Sequence, residues 1–267
     1  MFESFFGFSR TPFARNLAPE QLFESQDNME VIARLRWAST QKGPAVLTGD
    51  VGSGKSTCLR ALKASIDPVR HRWLYLPNPL LGARGLFRQL LLDLGIQPHY
   101  HRADIVRQLS GALWALHQQD KVPVIVIDDA HLLDDAALQE LRLLTNSQID
   151  TVSPVMLILS GQTPLRDRLR LTAHDHLTQR LTVRYHMRGL TAPETKDYIA
   201  HHLQVAGLKD PLFTPEAVEE VFQYSRGVPR RINRLCVGAL LAAYIEEKQL
   251  VDHRLVLRVI TDLNGAT

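Results

Sequence analysis

Cysteine is nearly absent from this sequence of 267 residues: there are two, Cys58 and Cys236. They lie far apart in apolar, helix-like stretches, and neither belongs to a CxxC pair or a Cys/His ligand spacing. That argues against a disulfide framework and a zinc site, and it fits a reducing compartment. Long apolar runs are missing as well. No stretch approaches the roughly 20 residues needed to cross a bilayer. The opening Met1-Phe2-Glu3-Ser4-Phe5-Phe6-Gly7-Phe8 carries an acid where a secretory leader carries positive charge. The expectation is a cytoplasmic protein with no membrane partner. Lysine is scarce too, since only seven of the 31 basic residues are lysine. Arginine suits bidentate phosphate contacts, but a GC-rich genome produces the same bias. The 11 histidines include no HExxH pattern and no i,i+4 pair with an acid, so metal catalysis other than through Mg²⁺ is not expected. Ser160-Gly161-Gln162 is not a GxSxG nucleophile elbow.

What is present reads as an ordinary globular composition, 45% hydrophobic and 22% charged with a net charge of +3. The length allows one large domain and a small one. Residues 1–25 are aromatic-rich and irregular, broken by Pro12 and Pro19. An amphipathic helix is expected over 26–41. A strand–helix rhythm then starts, with strands at 45–48, 73–76, 122–127, 155–159 and about 181–186. Helices are expected at 55–66, 84–94, 103–119, 135–147 and 164–170. Val122–Ile127 is rich in β-branched residues, as a strand buried on both faces requires. Five strands alternating with helices and lacking hairpin signals predict an α/β domain built on a parallel sheet. After Gly189 only helices are expected, at 192–206, 215–225, 229–247 and 252–263. Thr191-Ala192-Pro193-Glu194 has the form of a capping box. The expected division is an α/β domain over 1–188, including the N-terminal aromatic segment 1–25, and a helical domain over 189–267.

Two motifs carry chemistry. Gly49-Asp50-Val51-Gly52-Ser53-Gly54-Lys55-Ser56, followed by Thr57, matches GxxxxGK[ST] between a strand and a helix. Its glycines let backbone N–H groups turn inward around phosphates, and the helix N-terminus adds positive potential. Lys55 is placed to reach the β- and γ-phosphates of ATP and Ser56 to reach Mg²⁺. The second motif is Val124-Ile125-Val126-Ile127-Asp128-Asp129, which sets two carboxylates at the strand's C-terminal end, where α/β ligands bind. Asp128 is the candidate Mg²⁺ ligand, and Asp129 the group that orients or deprotonates the attacking water.

Together these motifs resemble the AAA+ ATPases, in their bacterial branch of secretion (ExeA-type) and transposition-helper (TniB/TnsC-type) proteins. The opening Phe5-Phe6-Gly7-Phe8 with Pro12-Phe13, Leu22-Phe23-Glu24-Ser25 and Gly227-Val228-Pro229-Arg230 resemble other blocks of that branch. The resemblance implies a P-loop domain with a helical lid. It puts Ser160 or Gln162 at sensor 1, Arg180 at the arginine finger delivered into a neighbouring subunit, with Arg184 as its competitor, and Arg230 at sensor 2. Asp129 departs from the branch's usual Glu, which implies slow turnover stimulated by assembly. The compact layout looks more like the transposition helpers. These assemble as rings or filaments on duplex DNA with ATP, recruit a transposase, in some cases with a target-selection protein, and come apart on hydrolysis. A secretion or envelope-assembly accessory and another cytosolic switch are the alternatives.

A DNA-facing surface would need basic residues. Arg84 and Arg88 one turn apart, and Arg102 and Arg107 near His99-Tyr100-His101, are candidates for sequence-independent phosphate contacts; each group also reads as solvated surface. Phe5, Phe6, Phe8 and Phe13 either staple the N-terminal segment to the core or line an adenine pocket or a subunit interface.

Overall fold

The structure is a computed structural model and describes residues 2–14, 16–144 and 153–265. In chain order the helices and strands are α1 (Phe2–Phe6), α2 (Gln26–Gln41), β1 (Ala45–Gly49), α3 (Lys55–Ser65), β2 (His71–Leu76), α4 (Gly82–Asp93), α5 (Arg102–Gln118), β3 (Val122–Ile127), α6 (Asp135–Leu144), β4 (Met156–Gly161), α7 (Thr163–Arg168), α8 (Asp175–Thr178), β5 (Val183–Met187), α9 (Ala192–Val205), α10 (Pro215–Ser225), α11 (Pro229–Ile245) and α12 (His253–Gly265). The last three positions of the helix expected over 135–147 lie outside the described residues.

The five strands form one parallel sheet in the order β2-β3-β4-β1-β5, as the strand–helix rhythm predicts. β3 is buried along its whole length. Its Pro123 cannot donate to a ladder, yet the pairing with β4 begins only at Val124. The proline therefore stands where the strand has a neighbour on one side. Alternation along the strands supplies both faces of the sheet. Val46, Leu74, Ile125, Ile127, Leu157 and Leu159 pack with the apolar faces of α4, α5 and α6. Leu47, Val124, Val126 and Ile158 pack with Val31 and Leu35 of α2 and with Cys58, Leu59 and Leu62 of α3.

The chain divides into two compact units. One comprises 30–50 and 55–187, and the other 1–29, 51–54 and 188–267. The second has its own core, in which Tyr198, Ile199, Ile232, Leu235, Leu240 and Val256 come together. Its first long helix, α9, opens with the capping box that the sequence announces, Thr191 and Glu194 bonding reciprocally. The N-terminal segment departs from expectation. It begins with the short helix α1, and Phe6, Phe8 and Phe13 are buried in the helical unit's core instead of joining the α/β unit. Backbone chemistry fixes the attachment. Ser9 N–H donates to the Ala206 carbonyl at 2.8 Å and Arg10 Nε to the Val205 carbonyl at 2.7 Å, which satisfies two carbonyls left open at the end of α9. No described helix is long and apolar enough to cross a membrane.

Candidate nucleotide site

β1 ends at Gly49 and α3 begins at Lys55, so the phosphate-loop motif occupies the turn between a buried strand and a helix N-terminus. Lys55 is buried, and its Nζ donates to the carbonyls of Gly49 and Asp50, both at 2.8 Å. The ammonium thus holds the loop's first residues curled over it. Thr163, at the start of α7, donates its hydroxyl to Asp50 Oδ1 at 3.2 Å and ties the loop to the turn after β4.

Asp128 follows β3 directly, and its carboxylate gathers donors from four places. Ser160 Oγ, from β4, lies 2.8 Å from Oδ1, and the Asp129 N–H lies 3.0 Å from the same oxygen. Tyr75 Oη, from β2, lies 2.7 Å from Oδ2, and Ser56 Oγ, from α3, lies 3.4 Å from it. The phenol of Tyr75 is pushed up from its ordinary pKa, first by burial and then by its hydrogen bond to Asp128, so it stays a donor. Ser56, Asp128 and Ser160 are therefore brought together, with Ser160 turned onto Asp128.

Asp129 sits in the left-handed region at φ 48°, which Asp tolerates better than most side chains. Its carboxylate is half exposed, and His131 Nδ1 lies 3.9 Å away. Gly161 permits this arrangement. A Cβ there would lie 3.1 Å from the His131 backbone nitrogen and 2.8 Å from Leu165 Cδ2. Gln162 is the N-cap residue of α7, partly exposed beside Ser160 in sequence, and makes no side-chain cap bond.

In the helical unit, residues 51–54 pack with the start of α11. The Arg230 N–H donates to the Gly52 carbonyl at 3.3 Å. Gly52 has φ 85°, and a Cβ on it would lie 2.4 Å from Arg230 Cβ. Only glycine fits there. Ser53 Oγ is buried without a hydrogen-bond partner among the described residues, and Val51 is exposed. Arg180 and Arg184 belong elsewhere on the α/β unit. Arg180 lies just before β5 and Arg184 on it, and β4 and β1 separate that strand from β3. At about 4.8 Å per strand, the same chain's Asp128 is on the order of 14 Å away across the sheet. Arg184 donates to the Thr178 carbonyl and lines a cavity of about 310 Å³ with Arg166, Arg170 and His186.

The basic residues proposed for DNA also cluster. Arg84 donates to the Tyr100 carbonyl at 2.7 Å and stacks over its ring at 5.6 Å, and Arg88 donates to the His99 carbonyl at 3.2 Å. Arg102 pairs with Glu140, and Arg107 lies 4.0 Å from Asp104. Tyr100 itself is 78% exposed.

Residues 38–169 match the family model described as an AAA domain. Among solved structures, the chain is similar to Cdc6p of Pyrobaculum aerophilum, with a TM-score of 0.69 at 15% identity, covering 93% of this chain and 68% of that one. The fold is that of a P-loop AAA+ ATPase. The AAA+ fold recurs in the RuvB Holliday junction branch migration motor of Thermotoga maritima, with a TM-score of 0.63 at 18% identity over 94% of this chain and 74% of that one. In sequence, the chain is 34% identical over 262 residues to the general secretion pathway protein A of Aeromonas hydrophila. The match covers 95% of this chain and 47% of the relative, so the chain spans about half the length of that protein.

Sequence reasoning passes over Tyr75, His131 and Thr163. An aromatic near the end of an apolar strand reads as core. Only the in-register pairing of β2 with β3, with the Asp128 N–H on the Leu76 carbonyl at 3.0 Å, sets Tyr75 beside the carboxylate.

Proposed function

We propose that this chain is an ATP-hydrolysing AAA+ switch that binds ATP with Mg²⁺ and works as an oligomer. The observation that carries the reading is the convergence of Ser56, Asp128 and Ser160 beneath the phosphate loop. A hydroxyl and a carboxylate 3.4 Å apart are hard oxygen donors of the kind Mg²⁺ takes, and the orphaned Ser53 hydroxyl is a polar group a phosphate would satisfy. Gly49 to Thr57 cradle the phosphates, and Lys55 exchanges its loop carbonyls for the β- and γ-phosphate oxygens. Ser56 and Asp128 hold the metal, which neutralises phosphate charge. Asp129 orients and accepts a proton from the attacking water, Gln162 faces the γ-phosphate, and Arg230 couples the nucleotide to the helical domain (189–267). Arg180, three strands from Asp128 in its own chain, serves a neighbouring subunit's site, which makes hydrolysis depend on assembly.

Phosphate release and nucleotide binding test this reading. Lys55→Ala should abolish ATP binding. Asp129→Asn should keep binding and lower turnover by about 10²-fold or more. Turnover in Asp129→Asn equal to wild type would remove Asp129 from the mechanism.

Two downstream roles each rest on a specific observation. The Arg84, Arg88 and Tyr100 cluster favours assembly on duplex DNA to recruit a transposase, and the RuvB neighbour is described as a Holliday junction branch migration motor. The 34% identity to general secretion pathway protein A favours an envelope or secretion accessory. Electron microscopy with duplex DNA and a non-hydrolysable ATP analogue separates them. Nucleotide-dependent rings or filaments on DNA support the first role, and their absence abandons it for the second.

A further inference from the structure

Asp128 is a fully engaged carboxylate. A carboxylate offers about four acceptor sites, and here Tyr75 and Ser56 approach Oδ2 while Ser160 and the Asp129 N–H approach Oδ1. Two of the donors stand on the strands that flank β3. Tyr75 comes from β2 and Ser160 from β4, so the carboxylate is gripped from both sides of its own strand.

The sheet dictates the grip. Leu74 and Leu76 point into the core beneath α4 to α6, so Tyr75 between them must point to the other face. That face carries α3, and Ser56 stands in its first turn. Ser160 is wholly buried, and its hydroxyl has the Asp128 carboxylate as its acceptor. Tyr75 is 41% exposed, so its ring is not there to fill the core. Its hydroxyl is the part with a defined task.

We propose that Tyr75 and Ser160 form a hydroxyl clamp that holds Asp128 in the orientation needed to take Mg²⁺. The clamp rests on the reading of Ser56 and Asp128 as metal ligands. It assigns Tyr75 a positioning role, and it assigns Ser160 to the Asp128 carboxylate, leaving Gln162 to face the γ-phosphate. Metal loading requires Ser56 to leave Oδ2 for the ion. The three remaining donors then keep the carboxylate from turning, so metal binding does not have to order it. Groups one shell out from a metal ligand commonly change metal affinity by about 10–100-fold when removed.

The test deletes single oxygens. A fluorescent ATP analogue is bound to full-length wild type, Tyr75→Phe, Ser160→Ala and the double variant, and Mg²⁺ is titrated in. Each single variant should need about 10-fold more Mg²⁺ for half-maximal enhancement of binding. In Tyr75→Phe, metal-free nucleotide affinity and melting temperature should stay at the wild-type values. The double variant should lose less than the sum of the two, because both hydroxyls act on one carboxylate. Metal-free crystals of Tyr75→Phe should show Asp128 in more than one orientation. An unshifted Mg²⁺ titration in Tyr75→Phe overturns the clamp and leaves the metal reading intact. A wild type whose nucleotide binding ignores Mg²⁺ overturns the metal reading and the clamp with it. If Tyr75→Phe loses stability, an unchanged Asp128 orientation in its crystals overturns the clamp.

Discussion

Buried in the helical unit, His202 stacks on Phe13 with ring centroids 5.2 Å apart and meets Tyr198 at 4.4 Å. Its Nδ1 has no hydrogen-bond partner among the described residues. Burial, with smaller repulsion from His201 and Arg10, lowers its pKa from 6.5 to about 4. The unfolded chain therefore binds a proton between these values and the native chain does not. By linkage, this contribution to stability is fully present above about pH 6.5 and is lost as pH falls through 4. The shift is worth roughly 3 kcal/mol. Denaturant midpoints taken from pH 7.5 to 4.5 should fall steeply in wild type, and His202→Phe should flatten the fall. An unchanged slope in the variant would show that other groups govern the acid side. The same stacking binds Phe13 to α9, so opening of the N-terminal segment, which lets His202 take up a proton, should become easier as pH falls below 6.5. Proteolysis between residues 14 and 26 at pH 4.5 should become faster than at pH 7.5.

Elements differ in how openly the sequence declares them. α9 is declared by Thr191 and Glu194, and the bonds form as the motif implies, with the Thr191 hydroxyl 3.4 Å from the Glu194 N–H. Thr191→Ala should cost about 1 kcal/mol, read as a lower denaturant midpoint with an unchanged slope. An unchanged midpoint would mean the helix is held by its packing alone. The parallel sheet was legible for a similar reason, since β3 needs an unbroken apolar run to sit between two neighbours. β5 was located less closely, because Leu181 and Thr182 look as strand-like as Val183 while the pairing with β1 starts at Val183. The N-terminal helix was not legible. Five residues rich in phenylalanine carry no periodicity, and α1 is held by contacts with residues more than 190 positions away. The site divides the same way. The phosphate loop and Asp128 are contiguous patterns, whereas Tyr75, His131 and Thr163 reach the site only through the pairing and close packing of the sheet.

At the scale of the whole molecule, the DNA reading turns on how much positive charge remains available. Arg84 and Arg88 spend hydrogen bonds on the carbonyls of Tyr100 and His99, and Arg102 is paired with Glu140. The guanidinium groups of Arg84 and Arg88 thereby shape the loop. Arg107 is different, with a side chain 83% exposed and only a 4.0 Å approach to Asp104. On the DNA reading, a single protomer would offer only a weak phosphate-binding surface, and useful affinity would require the repetition that an oligomer provides. This gives a definite salt signature. With a non-hydrolysable ATP analogue, log affinity for duplex DNA should fall linearly with log salt, and Arg107→Ala should reduce the slope by about 1 per protomer engaged. The loss should be the same on unrelated DNA sequences, because phosphate contacts carry no base information. Arg84→Ala should act differently. Removing the guanidinium frees the Tyr100 carbonyl and unstacks the ring, so hydrogen exchange across residues 96–101 should quicken along with the loss of binding. Equal slopes for wild type and Arg107→Ala would take this face off the DNA and return the chain to the secretion reading.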